Sequence, residues 1–107
     1  FEKTAFSALC DERFAAWITE NRPARALVFG VETHVCVTQT ALDLIARGVD
    51  VTVAADVVAS RRELDHQVAL DRLRAAGAVV TTAEAAVFEL LRAAGTPEFK
   101  RILQLVR

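Results

Sequence analysis

No methionine occurs in the 107 residues, and the chain opens on Phe1. It therefore reads as the C-terminal portion of something longer, cut close to a polar segment. Cysteine is scarce too: Cys10 and Cys36 are the whole complement. Two are too few for a disulfide scaffold, and there is no Cys-x-x-Cys pair or Cys/His cluster at zinc-ligand spacing. No metal and no cofactor is expected. No apolar run approaches the ~18 residues of a membrane-spanning helix and no signal peptide is recognisable, so no membrane partner is expected and a reduced, cytoplasmic setting is the default. Neither sign of charge is in excess: thirteen basic residues face fourteen acidic ones, for a formal net charge of -1. With the signs interspersed, nucleic acid is not an expected partner.

What is present is an ordinary folded composition, 53% hydrophobic and 25% charged. The length allows one domain at most and is short for a complete doubly wound sheet. Residues 1–10 have no clear period, and Lys3 lies among Phe1, Ala5, Phe6 and Leu9. Asp11 opens a helix with Phe14, Trp17 and Ile18 on one face, and Asn21-Arg22-Pro23 ends it. Ala26-Leu27-Val28-Phe29 is a short continuous apolar run, the pattern of a strand covered on both faces. Gly30 closes it. Thr33 is placed to cap the next helix, with His34, Val35 and Cys36 at its first three positions, and the helix runs to Arg47.

Val49 to Ala54 alternates apolar and polar, which suggests a strand nearer an edge, with Asp56 to Ala59 as its outgoing loop. Ser60-Arg61-Arg62-Glu63 reads as a capping box for a helix ending at Ala76. Ala78-Val79-Val80 is a third strand, Thr81-Thr82-Ala83-Glu84 a second capping box, and Val87 to Leu91 the body of the helix after it. Pro97 starts a last helix whose stripe is Phe99, Ile102, Leu103 and Val106. Strand–helix units repeat three times with short connections, which requires right-handed crossovers and a parallel, Rossmann-like α/β sheet.

In such a sheet ligands bind beyond the carboxyl ends of the strands. The segments there are Gly30 to Cys36, Asp56 to Arg62 and Thr81 to Glu84. Cys36 is the one strong nucleophile among them. A thiol at a helix N-terminus has its thiolate favoured by the dipole and nearby N–H groups, which could also hold an oxyanion. Equally, Cys36 could simply fill a helix–sheet contact; the local pattern does not choose. His34 is close in sequence, but two residues apart on a helix the side chains point to different faces, which argues against a His34–Cys36 pair. His66, among charged neighbours, reads as a solvated surface residue. Arg61 and Arg62 could meet an anionic substrate or pair across a subunit interface, with a solvated loop the alternative.

The segment Gly30-Val31-Glu32-Thr33-His34-Val35-Cys36-Val37-Thr38-Gln39-Thr40-Ala41-Leu42-Asp43-Leu44, followed by Gly48, resembles the nucleophile motif of the isochorismatase-like cysteine hydrolases. So do Asp56 through Ser60-Arg61, Ala69-Leu70 and Gly77. Glu2-Lys3-Thr4-Ala5-Phe6-Ser7 is similar to the family's lysine-bearing segment. Thr81 to Leu91 and Pro97-Glu98-Phe99-Lys100 look most like the isochorismatase domain-containing subgroup. The resemblance covers essentially the whole chain, in three blocks that agree in order and spacing.

The resemblance implies a three-layer α/β/α fold with a six-stranded, mostly parallel sheet. Residues 1–107 would be the C-terminal portion of a single such hydrolase domain, lacking its N-terminal strands. It implies a triad of aspartate, lysine and cysteine, with Cys36 the nucleophile and Lys3 orienting it and stabilising its charges. A non-proline cis peptide maps to Val31–Glu32, and N–H groups of Glu32 and Cys36 form the oxyanion hole. Thr33 and Phe6 are the candidate substrate contacts. The family's aspartate lies upstream of the lysine and has no counterpart here, so the chain is expected to be inactive alone. The first strand, without its neighbour, is expected to leave a bare apolar edge.

The expected activity is hydrolysis of a C–N bond in a small amide through a thioester, in a protein that is expected to form a homo-oligomer. Two alternatives remain: vinyl-ether hydrolysis, which needs no thiol, and a silent assembly or binding domain on the same fold.

Overall fold

Within residues 5–91, three strands and four α-helices alternate in the computed structural model, which also describes Pro97, Arg101 and Gln104. The strands β1 (Arg25–Val31), β2 (Asp50–Ala59) and β3 (Val79–Thr81) lie in that order, each neighbouring pair parallel. The helices are α1 (Glu12–Asn21), α2 (Thr38–Ala46), α3 (Glu63–Ala75) and α4 (Ala83–Leu91). Parallel neighbours need a crossover, and α2 and α3 supply the two that this order requires. The expected α/β architecture is the one observed. The last helix's apolar stripe, Phe99, Ile102, Leu103 and Val106, lies outside the described residues; Pro97 is helical.

One face of the sheet carries the core. Val51, Val53 and Val58 of β2 are buried against Ala41 and Leu44 of α2 and Leu70 and Leu73 of α3, with Val28 and Val80 packed on the same cluster. Leu73 and Val53 are among the largest side chains with no solvent exposure. Ile18 of α1 and Leu9 join this cluster too. Burial of such side chains contributes roughly 1.5–3 kcal/mol each.

The other face is less covered, and here the structure corrects the sequence reading. β2, expected near an edge, is the central strand; its alternation arises because Thr52 is half-buried and Asp50 lies at the exposed start. β1 lies at an edge of this sheet, the bare apolar edge that was expected, but the cover on both faces suggested by its apolar run is missing, with Leu27, Phe29 and Val31 exposed at 43%, 65% and 68%. α4 reaches only its beginning, where Arg25 and Leu27 line a groove of about 200 Å³ with Ala86 and Leu90.

β2 also runs on through Asp56 to Ala59, which the sequence suggested as loop. The register shifts between Val28 and Gly30, and Val58 and Ala59 then pair with Gly30 and Val31. Gly30 sits at φ 122, a conformation that side chains with a Cβ rarely adopt, so glycine suits the irregular step.

Helix entries differ in how they are satisfied. α1 follows the local rule: Asp11 Oδ1 accepts from the N–H groups of Arg13 (2.8 Å) and Phe14 (3.1 Å). The Phe14 N–H bond leads the effects that hold the Asp11 carboxyl below its ordinary value. At the other end Arg22 takes a left-handed conformation, φ 46, before Pro23.

Neither expected capping box forms. Ser60 does not cap α3, because its hydroxyl is engaged with His34. At α4, Thr82 rather than Thr81 accepts from the Ala85 N–H at 3.2 Å, and Asp56 Oδ1 accepts from the Ala83 N–H at 2.8 Å. Asp56 is thus a cap supplied from the neighbouring strand.

Candidate active site

Beyond the carboxyl ends of β1 and β2, the segment Glu32–Val37 lies against Ser60–His66. The Val31–Glu32 peptide is cis. Thr33–Val37 forms one wide π-helical turn rather than the start of an α-helix, and α2 continues from Thr38. The Glu32 carbonyl accepts from the N–H groups of both Val35 (3.1 Å) and Val37 (3.2 Å). Thr38 Oγ1 donates to the Thr33 carbonyl at 2.6 Å, closing the turn from inside. Val37, Ala41 and Leu44 are buried and seat the turn and its helix on the sheet. Cys36 is half-buried within it, on a helical turn that follows directly from β1.

Thr33, however, does not cap this helix. Its side chain has no solvent exposure, and Oγ1 lies 2.9 Å from His66 Nδ1. The Thr33 hydroxyl is thus turned from solvent toward His66. His66, expected in solvent, is half-buried and holds a hydrogen bond.

The neighbours of Thr33 are tied to the same segment. Glu32 Oε1 accepts from Arg61 Nε at 3.0 Å. His34 Nδ1 lies 2.8 Å from Ser60 Oγ, and the His34 N–H donates to that oxygen at 3.4 Å. On the other side of the ring, His34 Nε2 is 4.0 Å from Glu32 Oε2 and 3.8 Å from Asp65 Oδ2. The His34 ring thus lies against Ser60, with the Glu32 and Asp65 carboxylates on its far side. Arg61 is largely exposed apart from its Glu32 contact, and Arg62 beside it is exposed as well. With Asp65 they line an open hollow of about 410 Å³.

On the far side, Ser7 and Ala8 are pinned to α2. Ser7 is buried and its hydroxyl donates to Asp43 Oδ2 at 2.5 Å, while the Ala8 N–H donates to Thr40 Oγ1 at 3.0 Å. Lys3 lies outside the described residues. Phe6 is described and is 57% exposed. The sequence reading missed the role of Ser60 and His66. Their only signal was that a small hydroxyl residue and a histidine recur near a strand end, which taken alone points to no particular contact. No helix among the described residues is long and apolar enough to cross a membrane.

These elements define a parallel α/β protein with a cysteine-bearing turn at the carboxyl ends of its strands. The chain belongs to the isochorismatase family: the isochorismatase domain model matches residues 1–85. Members of that family are isochorismatase-like hydrolases. Among curated relatives, the secreted isochorismatase effector Isc1 of Phytophthora sojae is 45% identical over 109 residues, covering 100% of this chain and 51% of its own length. Isochorismatase domain-containing protein 1 of Salmo salar is 44% identical over 108 residues, covering 100% of this chain and 38% of its own. The chain thus spans about half, or less, of the length of these relatives.

Solved structures give the same answer on the fold. The MAR1 ribonuclease of Caenorhabditis elegans superposes with a TM-score of 0.88 at 36% identity, over 99% of this chain and 54% of its own. The nicotinamidase PncA of Bacillus subtilis gives 0.70 at 28% identity, over 75% and 44%. The YcaC gene product of Escherichia coli, an octameric hydrolase, gives 0.81 at 25% identity, over 96% and 57%.

Proposed function

We propose that this chain carries the nucleophile of a cysteine-dependent hydrolase that cleaves the C–N bond of a small amide through a thioester on Cys36. The observation that carries the reading is the placement of Cys36 in a helical turn directly after β1, near a helix N-terminus, where a dipole generally favours an anion. The nicotinamidase likeness supports an amide as the substrate class. In this reading the Cys36 thiolate attacks the carbonyl carbon, N–H groups of Glu32 and Cys36 hold the oxyanion, and the amine leaves with a proton. Water then hydrolyses the thioester and frees the acid. Lys3, by the family resemblance, orients the thiol.

The acid–base partner comes from elsewhere. Among the described residues, the aspartates near the site already have other work. Asp11 caps α1 and Asp56 caps α4, Asp43 holds Ser7, and Asp65 faces His34. We therefore place the catalytic aspartate outside this chain, in a portion that also covers Leu27, Phe29 and Val31. A homo-oligomer belongs to the same proposal, supported by the octameric neighbour. A nucleic-acid substrate, suggested by the name of the Caenorhabditis protein, lacks support in a chain with fourteen acids against thirteen bases.

The test is Cys36→Ala in the full-length protein, assayed on small amides. Hydrolysis is expected to fall at least about a thousandfold, the usual scale for loss of a nucleophile. Unchanged amide turnover would remove Cys36 as the nucleophile; turnover of a vinyl ether but of no amide would favour the chemistry that needs no thiol, and turnover of neither in the unaltered protein would favour a silent binding domain.

A further inference from the structure

Three consecutive residues of the cysteine turn, Glu32, Thr33 and His34, each hold a side-chain bond to one short segment, through Arg61, His66 and Ser60 respectively. We propose that His66, with Ser60 beside it, is a positioning residue that fixes the turn bearing Cys36 through its bond to Thr33. The inference rests on the nucleophile reading above and deepens it by naming what holds the nucleophile in place.

The three bonds are not equivalent. Arg61 is 85% exposed, so its bond to Glu32 competes with water and is of little weight. The His34–Ser60 bond is partly buried, and the His34 ring is about a quarter exposed. Thr33 is the enclosed member. Its hydroxyl meets His66 Nδ1, and its own carbonyl receives Thr38 Oγ1, at the base of the turn that Cys36 occupies. Moving Thr33 therefore moves the π-turn, and with it the N–H groups and the thiol three residues on. A misplacement of about 1 Å in such a group is enough to cost on the order of a hundredfold in rate.

The two states of the imidazole preserve the contact. A neutral ring accepts from the Thr33 O–H at Nδ1 or, in its other tautomer, donates to Thr33 Oγ1, as a protonated ring does. What matters is a polar atom at the Nδ1 position. Asparagine offers one there; alanine offers none.

The readout uses the two cysteines against each other. Cys10 is exposed and Cys36 half-buried, so access alone favours Cys10, and a Cys36:Cys10 alkylation ratio above one with iodoacetamide, read by peptide mass, reports activation of Cys36. His66→Ala and Thr33→Val, in full-length protein that still unfolds cooperatively, are expected to lower the Cys36:Cys10 ratio about tenfold. kcat on the hydrolysed amide should fall by a similar factor with KM within about twofold. His66→Asn and Thr33→Ser should restore most of both. A ratio that stays the same or rises in His66→Ala and Thr33→Val overturns the proposal, as does a fall that His66→Asn does not reverse. Preferential labelling of Cys36 without turnover of any amide would sink the substrate reading and leave the ratio to decide the role of His66. A wild-type ratio of one or less would remove the nucleophile and this inference together.

Discussion

The helix entries at Asp11 and at Thr33 look alike in sequence, each a small polar residue before an apolar stripe, yet they are built on opposite plans. At α1 the side chain bonds back to its own first turn, to Arg13 and Phe14. At the cysteine turn no side-chain cap forms, and Glu32, Thr33 and His34 reach instead to residues 26 to 33 positions away. A self-contained cap makes a helix start that needs nothing else. A start held from a neighbouring strand–helix connection depends on the tertiary fold, down to the His34 N–H, which donates to Ser60 Oγ.

Breaking the distant plan should have the largest effect. Combining Thr33→Val with His66→Ala should cost stability no more than the worse single change, because both remove the same bond. The shortfall from additivity, measured by urea unfolding, is expected at about 0.5–3 kcal/mol. Simple additivity would mean that the two side chains act separately. α4 sits between the two plans, with Thr82 as a local cap and Asp56 as a distant one. Asp56→Ala should lower stability by about 1 kcal/mol, seen as a lower urea midpoint at unchanged slope, with Cys36 labelling unaffected.

The smallest effect belongs to the local plan, and its sign follows from the Asp11 carboxyl. The Phe14 N–H bond foremost holds that carboxyl below its ordinary value in the folded chain, so its contribution is present above the unfolded value and disappears as pH falls through the folded one. The melting temperature of the unaltered protein should therefore exceed that of Asp11→Asn above about pH 5, and the gap should close in acid below about pH 4. A constant gap across that range would contradict the assignment.

What the sequence disclosed follows the same division. Rules that act within a few residues read correctly, as at the Asp11 helix start, the break at Asn21-Arg22-Pro23 and the repeat of strand and helix that fixes a parallel sheet. Gly30, by contrast, read as closing the first strand, is a bulge within it. Contacts set by the tertiary arrangement were not legible either. Ser60-Arg61-Arg62-Glu63 has the letters of a capping box, but His34 takes the serine hydroxyl. His66 looked solvated because its sequence neighbours are charged, and nothing in a one-dimensional pattern shows that Thr33 lies beneath it. β1 reads as a fully covered strand because Ala26 to Phe29 are all apolar, yet Phe29 is exposed in this chain. The family resemblance, not periodicity, pointed to Cys36 over the alternative of a packed small hydrophobe.

The most direct test of the account is the ratio of alkylation rates at Cys36 and Cys10 near neutral pH in the unaltered protein. Exposure alone favours Cys10, since Cys36 is half-buried. The account, in which Cys36 is the proposed nucleophile, predicts that it reacts at least about tenfold faster. Faster labelling of Cys10, with Cys36 inert, would contradict it.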